Sequence, residues 1–231
     1  GDEDIYAAET MRMLTSGDIV ANELKAGGIN IYPALFIEKV VTFFANKPLE
    51  YANFIIVGRL FYLVILNAAS IFFIYFTARS LFNRIDVALY SAVGFLLSPM
   101  IYATSRNWYP DHYIIFFSAG FLFFAARLLK DKYTLSNYIF IGLFWALTIS
   151  VKYTGLFLVI PIVLVLYINF AWAKNVAGIK EASSKLLGYF SIIFFSAMLV
   201  ILVVNFSAII NHQKFIQDFI FVSPFNSRIM F

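Results

Sequence analysis

Asp2, Glu3 and Asp4 place three carboxylates in consecutive positions near the start of the chain. A carboxylate can take a proton from an attacking hydroxyl or amine, and a group of them can hold a hard divalent cation. In an extended segment Asp2 and Asp4 point to one side and Glu3 to the other. The plainer reading of the triplet is a solvated acidic loop, or the N-cap of a helix over Tyr6 to Leu14. A second constellation is Ser105-Arg106-Asn107-Trp108-Tyr109-Pro110-Asp111-His112. Arg106 can offer a planar donor fork to a phosphate, and Asp111 can accept a proton or ligate a cation. Its ordinary reading is a loop with interfacial Trp and Tyr anchors, with Asp111 capping the next helix. His112 is read as a headgroup-level residue with no catalytic task. Two further cations stand out. Arg59 sits one to two turns inside an apolar run, where a charge is expensive and faces a bundle interior or a wet cavity. Lys152 lies in Ser150-Val151-Lys152-Tyr153-Thr154-Gly155. Both could neutralise a lipid phosphate, and Lys152 could equally snorkel to a membrane surface.

The elements that must position these residues are membrane helices. The chain is 62% hydrophobic and 13% charged over 231 residues, far from the composition of a soluble domain. Crossing the hydrocarbon core takes about 20 apolar residues. Candidate spans are Ala52 to Phe82, Val87 to Ala103, Tyr113 to Leu129, Tyr138 to Val151, Leu156 to Ala173 and Leu186 to Ile210. Pro99 lies near the end of the second, and Pro161 lies within the fifth, where it can kink the helix. Ile31 to Phe44 is shorter and carries Glu38 and Lys39. Leu35, Ile37, Val40, Val41 and Phe44 fall near one helical face, so this segment reads either as a helix lying in the interface or as one packed on the bundle. Gly27-Gly28 and Pro33 mark a break ahead of it.

The fold class is therefore all-α, a polytopic membrane bundle with an outward-facing first loop that contains a short interfacial helix. Residues 1–50 form the acidic outer loop, 51–210 a bundle of about six spans, and 211–231 an outer segment. Arg79 and Arg84, then Arg127, Lys130 and Lys132, then Lys174, Lys180 and Lys185 occupy alternate connections. The excess of basic residues in those loops makes that side cytoplasmic. The acidic start, Asp111 and the Lys152 turn then share the opposite side. The chain begins with Gly1, on the acidic cluster, and is expected to be a piece lacking at least one upstream helix.

Several activities are disfavoured. The net charge of +4 resides mostly in short loops between apolar spans, which fits membrane topology and not nucleic-acid binding. With no Cys there is no thiolate metal site, and two His make an imidazole zinc site improbable. No Gly-Lys-Ser/Thr phosphate loop, Gly-x-Gly-x-x-Gly turn or His-Glu-x-x-His pair occurs, so any activated substrate is not a nucleotide.

Asp2-Glu3-x-x-Tyr6 followed by Met13-Leu14-Thr15-Ser16-Gly17-Asp18 resembles the first outer loop of the C superfamily of glycosyltransferases, which use a polyprenyl-phosphate sugar. The similarity is to the protein mannosyltransferase and aminoarabinose transferase group. Tyr32-Pro33-Ala34-Leu35 stands where members often show Lys-Pro-Pro-Leu; here the second Pro and the preceding Lys are missing. Gly58-Arg59-Leu60, the Ser105 to Asp111 loop, Lys152-Tyr153-Thr154-Gly155, and Val204-Asn205-Phe206 with Phe215 follow in family order.

The resemblance implies a membrane-bound transferase, multi-pass in the cell membrane, with its active site on the non-cytoplasmic side. Asp2 would deprotonate the acceptor, with Glu3 assisting. Attack at the anomeric carbon would displace polyprenyl phosphate with inversion. Arg106, Arg59 and Lys152 would stabilise the departing phosphate, and Asp111 would orient acceptor or sugar. No cofactor is certain, and a divalent cation shared by Asp2, Asp4 and Asp111 stays open. The partners implied are a polyprenyl-phosphate sugar donor, a glycan, lipid or protein acceptor, and membrane lipids, with no nucleic acid. The alternatives are a transporter or flippase of an anionic lipid-linked substrate, using Arg59 and Lys152 as charge sites, or a non-catalytic membrane subunit.

Overall fold

In a hydrocarbon environment the backbone can satisfy its N–H and C=O groups only by coiling on itself, so long apolar runs become helices. The computed structural model describes residues 2–17, 31–46, 50–99, 101, 111–130 and 134–213. Among them there is no strand. The helices are α1 (Asp2–Ser16), α2 (Tyr32–Ala45), α3 (Tyr51–Leu60), α4 (Asn67–Phe82), α5 (Ile85–Leu96), α6 (Asp111–Lys130), α7 (Leu135–Val151), α8 (Val159–Ala177), α9 (Ile179–Val204) and α10 (Phe206–Ile210). A π-helical stretch, Phe61–Leu66, joins α3 to α4, and a 3-10 turn, Tyr153–Leu158, leads into α8.

Gly58–Phe82, Asp111–Lys130, Tyr153–Ala177 and Ile179–Val204 are long and apolar enough to cross a membrane. Ile85–Leu96 and Leu135–Val151 are shorter apolar helices. At 12 residues α5 is about 18 Å long, well short of a hydrocarbon core of about 30 Å. The expected second run to Ala103 is interrupted after Leu96 by a turn at Leu97, and Pro99 and Ile101 are again helical. The fifth run begins as a 3-10 turn and becomes α-helix at Val159. Pro161 stands in the first turn of α8, where its missing N–H has no intrahelical partner to lose, and it ends no helix.

Reversals are made where side-chain chemistry permits them. After α4, Asn83 adopts φ 54° and its N–H bonds the Arg79 carbonyl at 3.1 Å; a short polar side chain tolerates this left-handed geometry. After α8, Gly178 takes φ 84°.

α6 lies at the centre, with half of its apolar window buried, against 11% for α9. Phe73 of α4, Phe116 and Phe124 of α6 and Phe144 of α7 form its aromatic core, with centroid separations of 5.6 to 6.2 Å. Two glycines set the helix spacing. A Cβ on Gly120 would meet the Phe144 ring, at 2.7 Å from Cδ1. One on Gly142 of α7 would collide with the Ser196 hydroxyl and the Ile193 carbonyl of α9. Small residues of this kind let membrane helices approach closely, where packing supplies the association energy.

α1 and α2 pack on each other and on α3. α2 forms with Pro33 in its first turn and stops at Asn46, φ 56°. Its buried side is Ile31, Ala34 and Glu38, whose Oε1 accepts from the Thr42 hydroxyl at 2.7 Å. Its exposed apolar side is Phe36, Val40, Phe43 and Phe44. That stripe differs from the expected one because Leu35, Ile37 and Val41 are half-buried.

Candidate functional site

The expected site residues divide into three groups. Asp2 and Glu3 lie in the first turn of α1, so the extended alternation expected of them is replaced by helical spacing. Acidic residues there complement the partial positive charge of a helix N-terminus. Their side chains fall outside the described residues, as do Arg106, the rest of the loop over 102–110, and Gly27-Gly28. Asp111, Lys152 and Arg59 are described.

Asp111 and Lys152 come together. Asp111 opens α6, and Lys152 follows the last residue of α7 in an extended conformation, φ −157° and ψ 136°. Because α6 and α7 pack antiparallel, residues 41 apart in sequence become neighbours, and Lys152 Nζ donates to Asp111 Oδ1 at 3.5 Å. The Lys152 side chain is 50% exposed and that of Asp111 37%. A contact this long and this wet contributes at most about 1 kcal/mol to stability. Its consequence is positional: the carboxylate keeps the ammonium beside the start of α6 without forming a tight buried pair.

The turn behind Lys152 explains its sequence. The Gly155 N–H bonds the Lys152 carbonyl at 2.9 Å. A Cβ at Gly155 would lie 2.6 Å from the Ile149 nitrogen. Only glycine lets the 3-10 turn fold back against the end of α7 and point Lys152 across toward α6.

Amide, imidazole and hydroxyl groups to which the sequence reading gives no catalytic role lie about this pair. His112 is fully buried, with Nδ1 3.4 Å from Asn67 Oδ1. One residue into α6, the side chain turns inward to α4. Asn205, after α9, donates to Ser150 Oγ at 2.8 Å. The Tyr32 and Ser207 hydroxyls hydrogen-bond across 175 positions, joining α2 to α10. Asn67 is legible as a polar break in an apolar run, and Tyr32, Ser150 and Asn205 as members of motifs; nothing local marks Ser207.

Arg59 belongs to a different level of the bundle. It is half-buried on α3, eight positions before Asn67. At helical rise that is roughly 12 Å farther toward α1 and α2. Among the described residues no three His, Asp or Glu side chains form a metal-binding group; Asp2 and Asp4 are not among the side chains described.

One end of the bundle thus gathers an acid, a lysine and a belt of amides and hydroxyls, and the apolar helices beneath it are of membrane-crossing length. This is an integral membrane protein whose polar site sits at one end of its helices. A sequence profile described as dolichyl-phosphate-mannose-protein mannosyltransferase matches residues 53–201, more than half the chain. The chain belongs to that family, membrane glycosyltransferases of the C-superfamily type. The matched region includes Arg59, Asp111 and Lys152. Among curated proteins and solved structures, none matches the chain.

Proposed function

We propose that the chain transfers a sugar from a polyprenyl-phosphate donor, dolichyl-phosphate mannose by the family's name, to a protein or other acceptor on the non-cytoplasmic face, with inversion at the anomeric carbon. The observation that carries this reading is the Asp111–Lys152 pair, a long-stemmed cation held by a carboxylate at the polar end of the bundle. In the transfer, the acceptor oxygen attacks the anomeric carbon as the sugar–phosphate bond breaks. Charge grows on the departing lipid phosphate, and a fixed cation there lowers the barrier. Lys152 supplies that charge, with Arg106 as a further phosphate ligand, while Arg59, at its separate level, would meet the donor elsewhere along its length. Asp2 takes the acceptor proton, with Glu3 beside it, and Asp111 orients Lys152 and the incoming group. A divalent cation shared by Asp2, Asp4 and Asp111 stays an open part of this reading, and chelation tests it.

Sidedness follows from charge. Arg79, Arg84, Arg127, Lys130, Lys174, Lys180 and Lys185 lie at the end opposite Asp111, which the positive-inside rule assigns to the cytoplasm. The exposed phenylalanines of α2 would then rest on the outer membrane surface.

The test is transfer from radiolabelled polyprenyl-phosphate mannose to acceptor peptide in proteoliposomes. Lys152→Ala is expected to lower kcat about 10- to 100-fold, with Lys152→Arg recovering part of the loss. Equal rates in wild type and Lys152→Ala would remove Lys152 from the chemistry. Movement of intact donor across the bilayer with no sugar transfer would replace this reading by that of a flippase.

A further inference from the structure

Far from the Asp111 end, α8 and α9 reverse at Gly178 and leave a groove of about 520 Å³ between them. Val163, Tyr167 and Phe170 of α8 face Leu186, Leu187 and Phe190 of α9 across it. Leu166, Phe170 and Leu186 continue into a recess of about 10 Å³ walled by Asn169, Lys185 and Tyr189, room for one water-sized group. Asn169 is 6% exposed. Its Nδ2 donates to the Tyr138 hydroxyl at 3.2 Å, while its Oδ1 has no hydrogen-bond partner among the described residues.

The depth of this recess can be read from helix length. α9 has 26 residues, about 39 Å, against a hydrocarbon core of about 30 Å. The surplus belongs to its polar first turns, where Lys180, Glu181, Ser183, Ser184 and Lys185 precede the apolar run from Leu186. Lys185 and Asn169 therefore stand at the boundary between headgroups and acyl chains, with the groove below them in the hydrocarbon. Lys174 and Lys180 are exposed at the rim. Glu181 Oε1 lies 2.6 Å from Lys185 Nζ, so three lysines face one carboxylate and the rim keeps an excess of positive charge. Basic pockets between membrane helices of this kind recognise anionic lipid headgroups.

We propose that the α8–α9 groove is a binding site for one anionic phospholipid with a hydroxyl-bearing headgroup, of the phosphatidylglycerol type. An acyl chain fills the groove along Tyr167, Leu187 and Phe190. The phosphate sits among Lys174, Lys180 and Lys185, and the headgroup hydroxyl donates to Asn169 Oδ1. This site is separate from the transfer chemistry and stands whether or not that reading holds.

The full chain is reconstituted in equal parts phosphatidylglycerol and phosphatidylcholine, extracted gently, and its retained lipid measured by native mass spectrometry. Phosphatidylglycerol is expected to be retained several-fold over phosphatidylcholine, and Lys180→Ala with Lys185→Ala to bring that ratio to one. Equal retention in the unmodified chain would identify an annular lipid only and overturn the site. Phosphatidic acid retained as well as phosphatidylglycerol would overturn the Asn169 contact. Should the lysine variants fold poorly, Leu187→Trp, at an exposed groove position, gives a second readout. Its fluorescence is expected to be quenched more by brominated phosphatidylglycerol than by brominated phosphatidylcholine, and equal quenching by both overturns the proposal.

Discussion

The two ends of the bundle carry polarity of different kinds. At the Asp111 end the polar groups interlock: Asp111 with Lys152, His112 with Asn67, Ser150 with Asn205, Tyr32 with Ser207. Each pair bridges two different segments. At the opposite end charges stay local, as in Arg84 with Asp86 or Lys185 with Glu181, both within one turn or its flank. Pairs that cross between helices fix the helices relative to one another, whereas local pairs leave each helix free to meet the membrane surface. The charged groups of the first end are held across helices, while those of the second stay local beside the neutral Asn169–Tyr138 bond that joins α8 to α7.

The contrast is open to attack by substitution. Asp2→Asn should have the largest effect, lowering transfer about 10²- to 10⁴-fold with donor binding unchanged, as expected for a lost general base. Rate and donor affinity measured separately in proteoliposomes check this, and a wild-type rate would move the base assignment to Asp111. Gly155→Ala comes next. The new methyl overlaps the α7 backbone, so stability should fall by about 1–3 kcal/mol in a thermal or denaturant assay, with kcat falling as Lys152 is displaced.

Gly142→Ala should cost a similar amount of stability through α7 and α9, yet leave transfer at low temperature within about twofold, because it disturbs packing and no polar-end group. Smaller still is Asn205→Ala, which removes one partly buried hydrogen bond to Ser150 and should cost about 1 kcal/mol. Lys130→Ala, at the opposite end, should leave both stability and transfer within assay error; a clear loss of transfer there would erase the distinction between the ends.

Much of this layout is legible in the chain. Hydropathy marks each span, because a long apolar run has few other ways to bury its backbone. Asp111 and Lys152 each stand out separately, one as an acid beside a span and the other as a lysine in a tight turn. Their adjacency is not legible, since it depends on how α6 and α7 pair. His112 escapes for a related reason: one residue of helical rotation separates a headgroup contact from a buried contact with Asn67, and the sequence does not state where α6 begins. The end of α5 is hard to place because apolar residues continue across the break at Leu97 and Ser98 into Pro99 and Ile101, which are again helical. Glu38 shows the opposite failure, a charged residue that faces inward on α2 while phenylalanines face out.

The π-helical stretch Phe61–Leu66 has a consequence for how this molecule can vary. Such a stretch is an α-helix accommodating one residue too many. The stretch absorbs that residue, so deleting one there would let the segment close as ordinary α-helix with its flanks still in register, whereas a deletion within α4 would swing everything before it by about 100° around the axis. Arg59, with α1 and α2 behind it, thereby keeps its bearing over α4 to α9 against a change of length at this joint. The joint is a buffer: one residue can be lost from it without turning the segments before it against the bundle that follows.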